Sequence, residues 1–298
     1  MSADGFRVES ILAPYAFSNR CRGAARHAVA LAARFRAELE FLHVVPCARL
    51  ERPWLDADMS FGGTGPAEAD VRRWLREEVE RLPADGNEPS GWSQLVVRGE
   101  PASRIVERAE ELPHPLIVMP THGYGRFRRF LLGSVTAKVL HDSKHPVLTG
   151  AHLDAAGEFG RLPYRTVACA IQPGERAQAE LEWAWSFARA WSAKLIVISE
   201  VEWFAYGPFE AQELALDLHR MLTKRTTQEM ERLIDRVGCP AELRVELNGA
   251  ADSIPRIAGE VGADLLIIGR THEAGLLGSI WSRAYKLIRQ SPCPVLSI

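Results

Sequence analysis

Hydrophobic positions along this chain alternate between two spacings. Short, nearly unbroken apolar runs such as Leu39–Val45 and Leu265–Gly269 predict strands that are covered on both faces. Between such runs, apolar residues recur every three or four positions, as in the alanine-rich stretch 18–37, and this spacing predicts amphipathic helices. Strands that alternate with helices are typical of parallel βαβ units with right-handed crossovers. The pattern therefore predicts an α/β fold.

The same pattern occurs twice. The run Phe41–Val45 precedes Val197–Val201 by 156 residues, and His145–Leu148 precedes Cys293–Leu296 by 148. Loops of different length produce such a drift in offset. Because the strands and helices recur in the same order, the repeat predicts two domains. We place them at residues 1–150 and 164–298, with a linker at 151–163.

Composition limits the classes of partner. Net charge is −2 over 298 residues, and neither half has the basic excess of a nucleic-acid binder. The five cysteines are scattered without CxxC spacing, which favours reduced thiols, and no clustered Cys/His pattern suggests a metal site. The N-terminus lacks the apolar core of a signal peptide, and no apolar run is long enough to span a bilayer. We expect a cytoplasmic protein with no nucleic-acid, membrane or metal partner.

The stretch Leu116–Ser134 carries the clearest candidate chemistry. An apolar run ends in a turn, a basic loop with glycines follows, and Gly133-Ser134 opens a helical pattern. Strand, loop and helix start in this order are how open α/β sheets hold phosphates, because a helix N-terminus offers unpaired N–H groups and the positive end of its dipole. The sequence therefore predicts an anion site at Gly133-Ser134.

His122 in this loop could suggest catalysis. No Ser or Cys nucleophile with an orienting acid lies near it in the sequence. We interpret it as a turn histidine that hydrogen-bonds the loop or a ligand, and we predict no catalytic residue. No general base or metal-binding carboxylate is placed at the loop either, so an activity beyond weak ATP hydrolysis is not expected.

These residues carry a family resemblance. Pro120-Thr-His-Gly123, nine further residues and Gly133-Ser134 match all but the first glycine of the pattern Gly-x-x-Gly, nine residues, Gly-Ser/Thr. The chain thus resembles the universal stress protein family in its tandem two-domain form. The resemblance implies two doubly wound five-stranded parallel sheets of order 3-2-1-4-5, related to adenine nucleotide alpha hydrolase-like folds. It also implies that the last strands, Pro146–Thr149 and Pro294–Ile298, pair within the chain as a pseudo-dimer or between two copies.

The resemblance also implies a nucleotide site in the first half. ATP-binding members hold adenosine at the carboxyl ends of the strands, the usual crevice of such sheets. The cofactor would be ATP or AMP, with Mg²⁺ only alongside ATP. Carried over by position, the binding residues are Pro14, Tyr15, Ala16, Val45, Met119, Pro120, His122, Gly123, Gly133, Ser134 and Val135.

Two positions in the first half depart from the family. Ala16 stands where the family usually has Asp, so a side-chain acceptor for ribose or adenine is missing. Pro120 replaces the first glycine, which removes a backbone N–H and fixes φ. The loop arginines at 126, 128 and 129 either hold phosphates or form a solvated loop. Two hypotheses follow: a stress-response regulator that binds an adenine nucleotide in the N-terminal domain, or a regulatory interaction protein, with an unknown protein partner, that has lost nucleotide binding in both domains.

The second half departs further. Gln172 falls at the position of the family Asp, and Gly269–His272 begins the motif. Its Gly-Ser step is either Gly278-Ser279, after five residues, or, counted back from Pro294, Trp281-Ser282. We prefer the second register, in which an indole replaces the glycine that phosphates would approach. The second half is therefore predicted to be a structural partner.

Overall fold

The computed structural model describes residues 6–46, 68–82, 91–121, 132–150, 153, 162–202, 212–248, 253–270 and 279–298. Contacts divide these residues into two compact units. The first unit contains the described residues between 8 and 149 together with Leu153. The second contains those between 162 and 298 together with Phe6, Arg7 and Gly150. Within the described residues, no helix has the length and apolar character needed to cross a membrane.

The first unit is a parallel sheet with the order β3-β2-β1-β4-β5. Its strands are β1 (Ser10–Pro14), β2 (Glu38–Pro46), β3 (Trp92–Gly99), β4 (Pro115–Val118) and β5 (Val147–Thr149). Its helices are α1 (Asn19–Phe35), α2 (Glu68–Glu80), α3 (Pro101–Glu111) and α4 (Ser134–Asp142). This order confirms the predicted 3-2-1-4-5 order, and every strand pair is parallel, as predicted.

The second unit repeats this topology, with the order β10-β9-β6-β7-β8. Its strands are β6 (Thr166–Ala170), β7 (Lys194–Glu202), β8 (Ala241–Asn248), β9 (Leu265–Ile268) and β10 (Val295–Ser297). Its helices are α5 (Ala177–Ala190), α6 (Gln212–Val237), α7 (Ser253–Glu260) and α8 (Ser279–Gln290). Its strand pairs are parallel as well, which confirms the predicted fold class in this half.

The central strands explain the unbroken apolar runs. All four residues of β4 and all four of β9 are buried, because helices cover both faces of each sheet. Helix α1 contributes side chains to this core, including the fully buried Ala28 and Leu31. The alternation typical of a half-exposed sheet is therefore absent from these central strands.

Two helices of the first unit begin at the carboxyl edge of the sheet with side-chain caps. The Ser18 hydroxyl accepts a hydrogen bond from the N–H of Cys21 at the start of α1 (3.3 Å). The Glu100 carboxylate accepts from the N–H groups of Ala102 (3.2 Å) and Ser103 (2.8 Å) at the start of α3. These caps fix where the chain turns back from each strand, at the edge where a ligand of an open α/β sheet binds.

Candidate functional site

The predicted residues of β1 and β4 meet at one edge of the first sheet. Strand β1 pairs with β4, with Leu12 opposite Ile117, so the residues that follow both strands leave the sheet side by side. These are Tyr15 and Ala16 after β1, and Met119 and Pro120 after β4. The strand order reverses between β1 and β4, and ligands of open α/β sheets bind at this switch point.

The start of α4 is held against the end of β4. Gly133 is the N-cap residue, and its N–H donates to the carbonyl of Thr121 (2.8 Å). The Thr136 hydroxyl donates to the carbonyl of Pro120 (2.9 Å). The N–H groups of Ser134 and Val135 lie in the first turn, where an α-helix provides no partner for them. A strand end and a helix N-terminus therefore lie together, in the arrangement that binds anions.

Lys138 lies one turn further along α4 and has a carboxylate partner. Its Nζ donates to Oε2 of Glu100 (2.9 Å) and to the hydroxyl of Ser103 (3.3 Å). Burial raises the pKa of Glu100, but hydrogen bonds from Lys138, then from Ser103 and the backbone, outweigh it and bring the pKa to about 2. The ammonium group beside the candidate anion site is therefore paired with an ionised Glu100.

The Tyr15 side chain is engaged within the protein. Its hydroxyl donates to Oε2 of Glu78 (3.0 Å), and Arg22 donates to the same carboxylate through Nε (2.7 Å) and Nη2 (2.9 Å). Burial and then the bond to Glu78 raise the pKa of Tyr15 above its usual range, while Arg22 lowers the pKa of Glu78. This cluster ties the end of β1 to α1 and α2, so the hydroxyl of Tyr15 is directed at α2.

Ala16 is positioned by the start of α1. Its N–H donates to Sγ of Cys21 (3.3 Å), which also accepts from the Ser18 hydroxyl (3.2 Å). The Ala16 methyl group offers no acceptor, so a ligand at this point of the edge could form hydrogen bonds only with the backbone of this residue. Val45 lies on the next strand, half-buried near the end of β2 and in register with Arg98 of β3.

His43 is a residue of this edge that sequence reasoning missed. Its Nδ1 lies 2.7 Å from the carbonyl oxygen of Tyr15, and a carbonyl only accepts, so Nδ1 carries the hydrogen. Burial lowers the pKa of His43, against the effect of this hydrogen bond, which raises it. The Phe17 ring lies 4.8 Å from the imidazole, and Phe17 itself adopts a left-handed backbone with φ of 53°. In the sequence, His43 was only one position of an apolar strand.

Several predicted features lie outside the described residues. His122, Gly123 and the loop arginines at 126, 128 and 129 belong to the segment 122–131. The two alternative Gly-Ser registers of the second half depend on residue 278 and on the side chains at 279–283, which also lie outside the description.

The corresponding edge of the second unit holds the chain's own polar groups. The exposed Gln172, which follows β6, lies against the backbone of Glu200; with its amide assigned from the hydrogen-bonding pattern, it donates to the Glu200 carbonyl (2.8 Å) and accepts from the Glu200 N–H (3.1 Å). Arg176 donates through Nη1 to the carbonyl of Arg270 (2.6 Å). Burial, and then the charge of Arg176, lower the pKa of the buried Arg270 side chain to about 10. Two cationic side chains thus lie where the β6 and β9 ends meet.

The two edges differ in which of two corresponding positions carries the large side chain. Strands β6 and β7 begin 156 residues after β1 and β2, so Glu180 of α5 corresponds to Ala24 of α1. Strand β9 begins 150 residues after β4, so Gly269 corresponds to Met119. In the second unit the Glu180 carboxylate lies against Gly269, where a side chain at that position would begin. The first unit instead has a small residue on the helix and a large buried one after the strand.

Comparison with known proteins places the chain in a family. The model of the Universal stress protein family matches residues 7–149 and 163–298. The chain therefore belongs to the universal stress protein family and carries two Usp domains in tandem, which confirms the resemblance read from the sequence. One universal stress protein of Methanocaldococcus jannaschii is 35% identical over 134 residues, covering 42% of this chain and 71% of its own length. A second from the same organism is 28% identical over 150 residues, covering 47% and 93%.

Solved structures that span nearly the whole chain agree on the fold. The crystal structure of a universal stress protein from Archaeoglobus fulgidus aligns over 98% of this chain and 97% of its own, with 21% identity and a TM-score of 0.67. A universal stress protein solved in complex with cAMP aligns over 45% of this chain and 96% of its own, with 24% identity and a TM-score of 0.30.

Proposed function

We propose that the first unit binds an adenine nucleotide, ATP or AMP, and that this binding lets the protein regulate a stress response through a protein partner. The observation that carries the proposal is the start of α4. Gly133 leaves the helix N-terminus open to close approach, and the hydrogen bonds to Thr121 and Pro120 hold that terminus beside the β1 and β4 ends.

The spacing of the edge suits a nucleoside. Strand β1 lies between β2 and β4, so the ends of β2 and β4 are about 10 Å apart, two strand spacings. A nucleotide with its phosphates at Gly133-Ser134 would extend across the end of β1, and its base would reach Val45 on β2. Mg²⁺ would enter only as a partner of the ATP phosphates.

A second candidate function has its own support. A regulatory interaction protein without nucleotide binding is favoured by Ala16, which supplies no side-chain acceptor, and by Pro120 at the end of β4. In the second unit, Glu180 and Arg176 occupy the edge beside Gly269 and Arg270. We therefore expect one nucleotide per chain under the first proposal and none under the second.

Calorimetric titration distinguishes the nucleotide-binding proposal from the interaction protein without nucleotide binding. The full chain is titrated with ATP and with AMP, with and without Mg²⁺, alongside the variants Gly133→Trp and Gly174→Trp. Gly174 follows β6, and a Cβ added there meets no atom within 4 Å, so this variant is a matched control that also probes the second unit. We expect one nucleotide per chain in the wild type and in Gly174→Trp, and no binding in Gly133→Trp.

The other outcomes are equally specific. Millimolar nucleotide that gives neither heat nor a thermal shift in the wild type would support the interaction protein. Binding that survives Gly133→Trp would show that the nucleotide lies elsewhere, and binding lost only in Gly174→Trp would place it in the second unit.

A further inference from the structure

Three aromatic rings lie together at the ends of β1 and β2. Phe17 lies 4.8 Å from His43 and 5.6 Å from Tyr15, measured between ring centroids. Phe17 and His43 are half-buried, whereas Tyr15 is almost fully buried. Aromatic side chains with one exposed face provide a surface on which a flat ring can lie. The edge therefore offers an apolar platform on the β2 side of β1.

His43 adds a hydrogen-bond acceptor to this platform. Since Nδ1 donates to the Tyr15 carbonyl, the neutral ring must present Nε2 as a lone pair. The two ring nitrogens lie on opposite sides of the ring, so Nε2 points away from that carbonyl. Among the described residues, Nε2 has no hydrogen-bond partner, and His43 is half-buried. The tautomer is thus fixed by the fold, and one acceptor is left for a ligand.

The position of His43 assigns it to the base end of the site. Helix α4 follows β4, on one side of β1, and His43 lies on β2, on the other side. A nucleotide whose phosphates lie at Gly133 can bring only its base to His43. A single acceptor at that point discriminates between bases, because it attracts an amino group and opposes the lone pairs of an oxo group.

We propose that His43 reads the base, its Nε2 accepting a hydrogen bond from the exocyclic amino group of a 6-aminopurine that lies against Phe17. This inference rests on the proposed nucleotide binding and adds to it a preference for 6-aminopurine over 6-oxopurine nucleotides. A bound 6-aminopurine donates one hydrogen bond to Nε2, whereas a bound 6-oxopurine places its oxygen against Nε2 and leaves that acceptor without a donor. This difference corresponds to an affinity about tenfold higher for the 6-aminopurine nucleotide.

The test compares ATP with inosine triphosphate, which has an oxo group in place of the 6-amino group and a hydrogen on N1, by calorimetry on the full chain at neutral pH. In His43→Asn the amide nitrogen replaces Nδ1 and keeps the bond to Tyr15, but nothing replaces Nε2. In His43→Gln the amide reaches the position of Nε2. His141→Asn is the matched control, since His141 is exposed in the last turn of α4 and bonded to Asp142.

We expect the wild type and His141→Asn to bind ATP about tenfold more tightly than inosine triphosphate. His43→Asn should bind both alike, through weaker ATP binding, and His43→Gln should retain ATP binding. Equal affinity of the wild type for the two nucleotides overturns the inference while leaving nucleotide binding intact, and this measurement needs no variant to fold. An unchanged preference in His43→Asn overturns it as well. Failure of the wild type to bind either nucleotide overturns the inference and the proposed function together.

Discussion

The contact between Gly269 and Glu180 makes a quantitative prediction. An ideal Cβ added at Gly269 would lie 2.8 Å from Oε2 of Glu180 and closer still to its Oε1, and its three nearest neighbours are all atoms of that carboxylate. The Glu180 side chain is buried, so it has little room to move aside. Overpacking of this kind costs about 1–3 kcal/mol. We therefore expect Gly269→Ala to destabilise the second unit by about 2 kcal/mol.

The same geometry predicts that a second substitution relieves the strain. Glu180→Ala removes the obstructing carboxylate and reproduces the small residue that the first unit has at Ala24. Burial raises the pKa of Glu180, and Oε1 of Glu180 lies 3.9 Å from Nε of Arg176. The carboxylate therefore contributes little to stability as an ion pair. In the double variant the Gly269→Ala cost should fall to below about 0.5 kcal/mol, a coupling typical of residues in contact.

Urea unfolding followed by tryptophan fluorescence is a suitable assay, because Trp183 lies on α5, the helix that carries Glu180. Gly174→Ala is the control, since its methyl group would meet open space. The reasoning is refuted if Gly269→Ala unfolds at the wild-type urea concentration, or if Glu180→Ala leaves the cost of Gly269→Ala unchanged.

Three further predictions concern other contacts. The ring of Phe6 lies 5.0 Å from Trp183, edge to face, so Phe6→Ala should destabilise the second unit by about 1–2 kcal/mol and lower the thermal midpoint seen by near-UV circular dichroism; an unchanged midpoint would exclude a stabilising role for this ring. Tyr15→Phe removes the bond to Glu78 and should cost about 1 kcal/mol in urea unfolding, and this cost should disappear when Glu78 is already changed to Ala, which has no acceptor for the hydroxyl. The pKa of Glu100 is lowered from 4.5 to about 2, so its stabilising effect is complete above pH 4.5 and is lost as the pH falls towards 2. The stability difference between the wild type and Glu100→Gln should shrink over that interval in acid titrations of the urea midpoint, and a constant difference would contradict the assigned cause.

The fold could be predicted from the sequence because the patterns that indicate strands and helices are local. Apolar runs and three-to-four spacing depend on residues within a few positions of each other, and they predicted strands and helices in the observed order. The repeat then gave the same topology twice, and the 3-2-1-4-5 order implied by the family resemblance is present in both units. The Gly133-Ser134 helix start was predictable for the same reason, since strand, turn and helix follow one another directly in the chain.

The site depends on contacts that no local pattern contains. Tyr15 bonds to Glu78, 63 residues away, and this bond decides where its hydroxyl points. The imidazole of His43 is oriented by a carbonyl 28 residues earlier, and that bond alone sets which nitrogen accepts. From the sequence, Tyr15 was a candidate nucleotide-binding residue at a strand end, and His43 was only one position of an apolar strand.

The sequence by itself determined the family, the two Usp domains and the helix N-terminus beside β4, because each follows from short-range order of apolar, small and turn-forming residues. Only the tertiary structure decided how the two edges differ. Gly269 and Glu180 are brought together by the packing of α5 on its sheet, and there the space that Met119 occupies in the first unit is taken by a carboxylate. Close packing requires complementary volumes across elements, and that complementarity is set by neighbours in space, which the order of residues along the chain does not display.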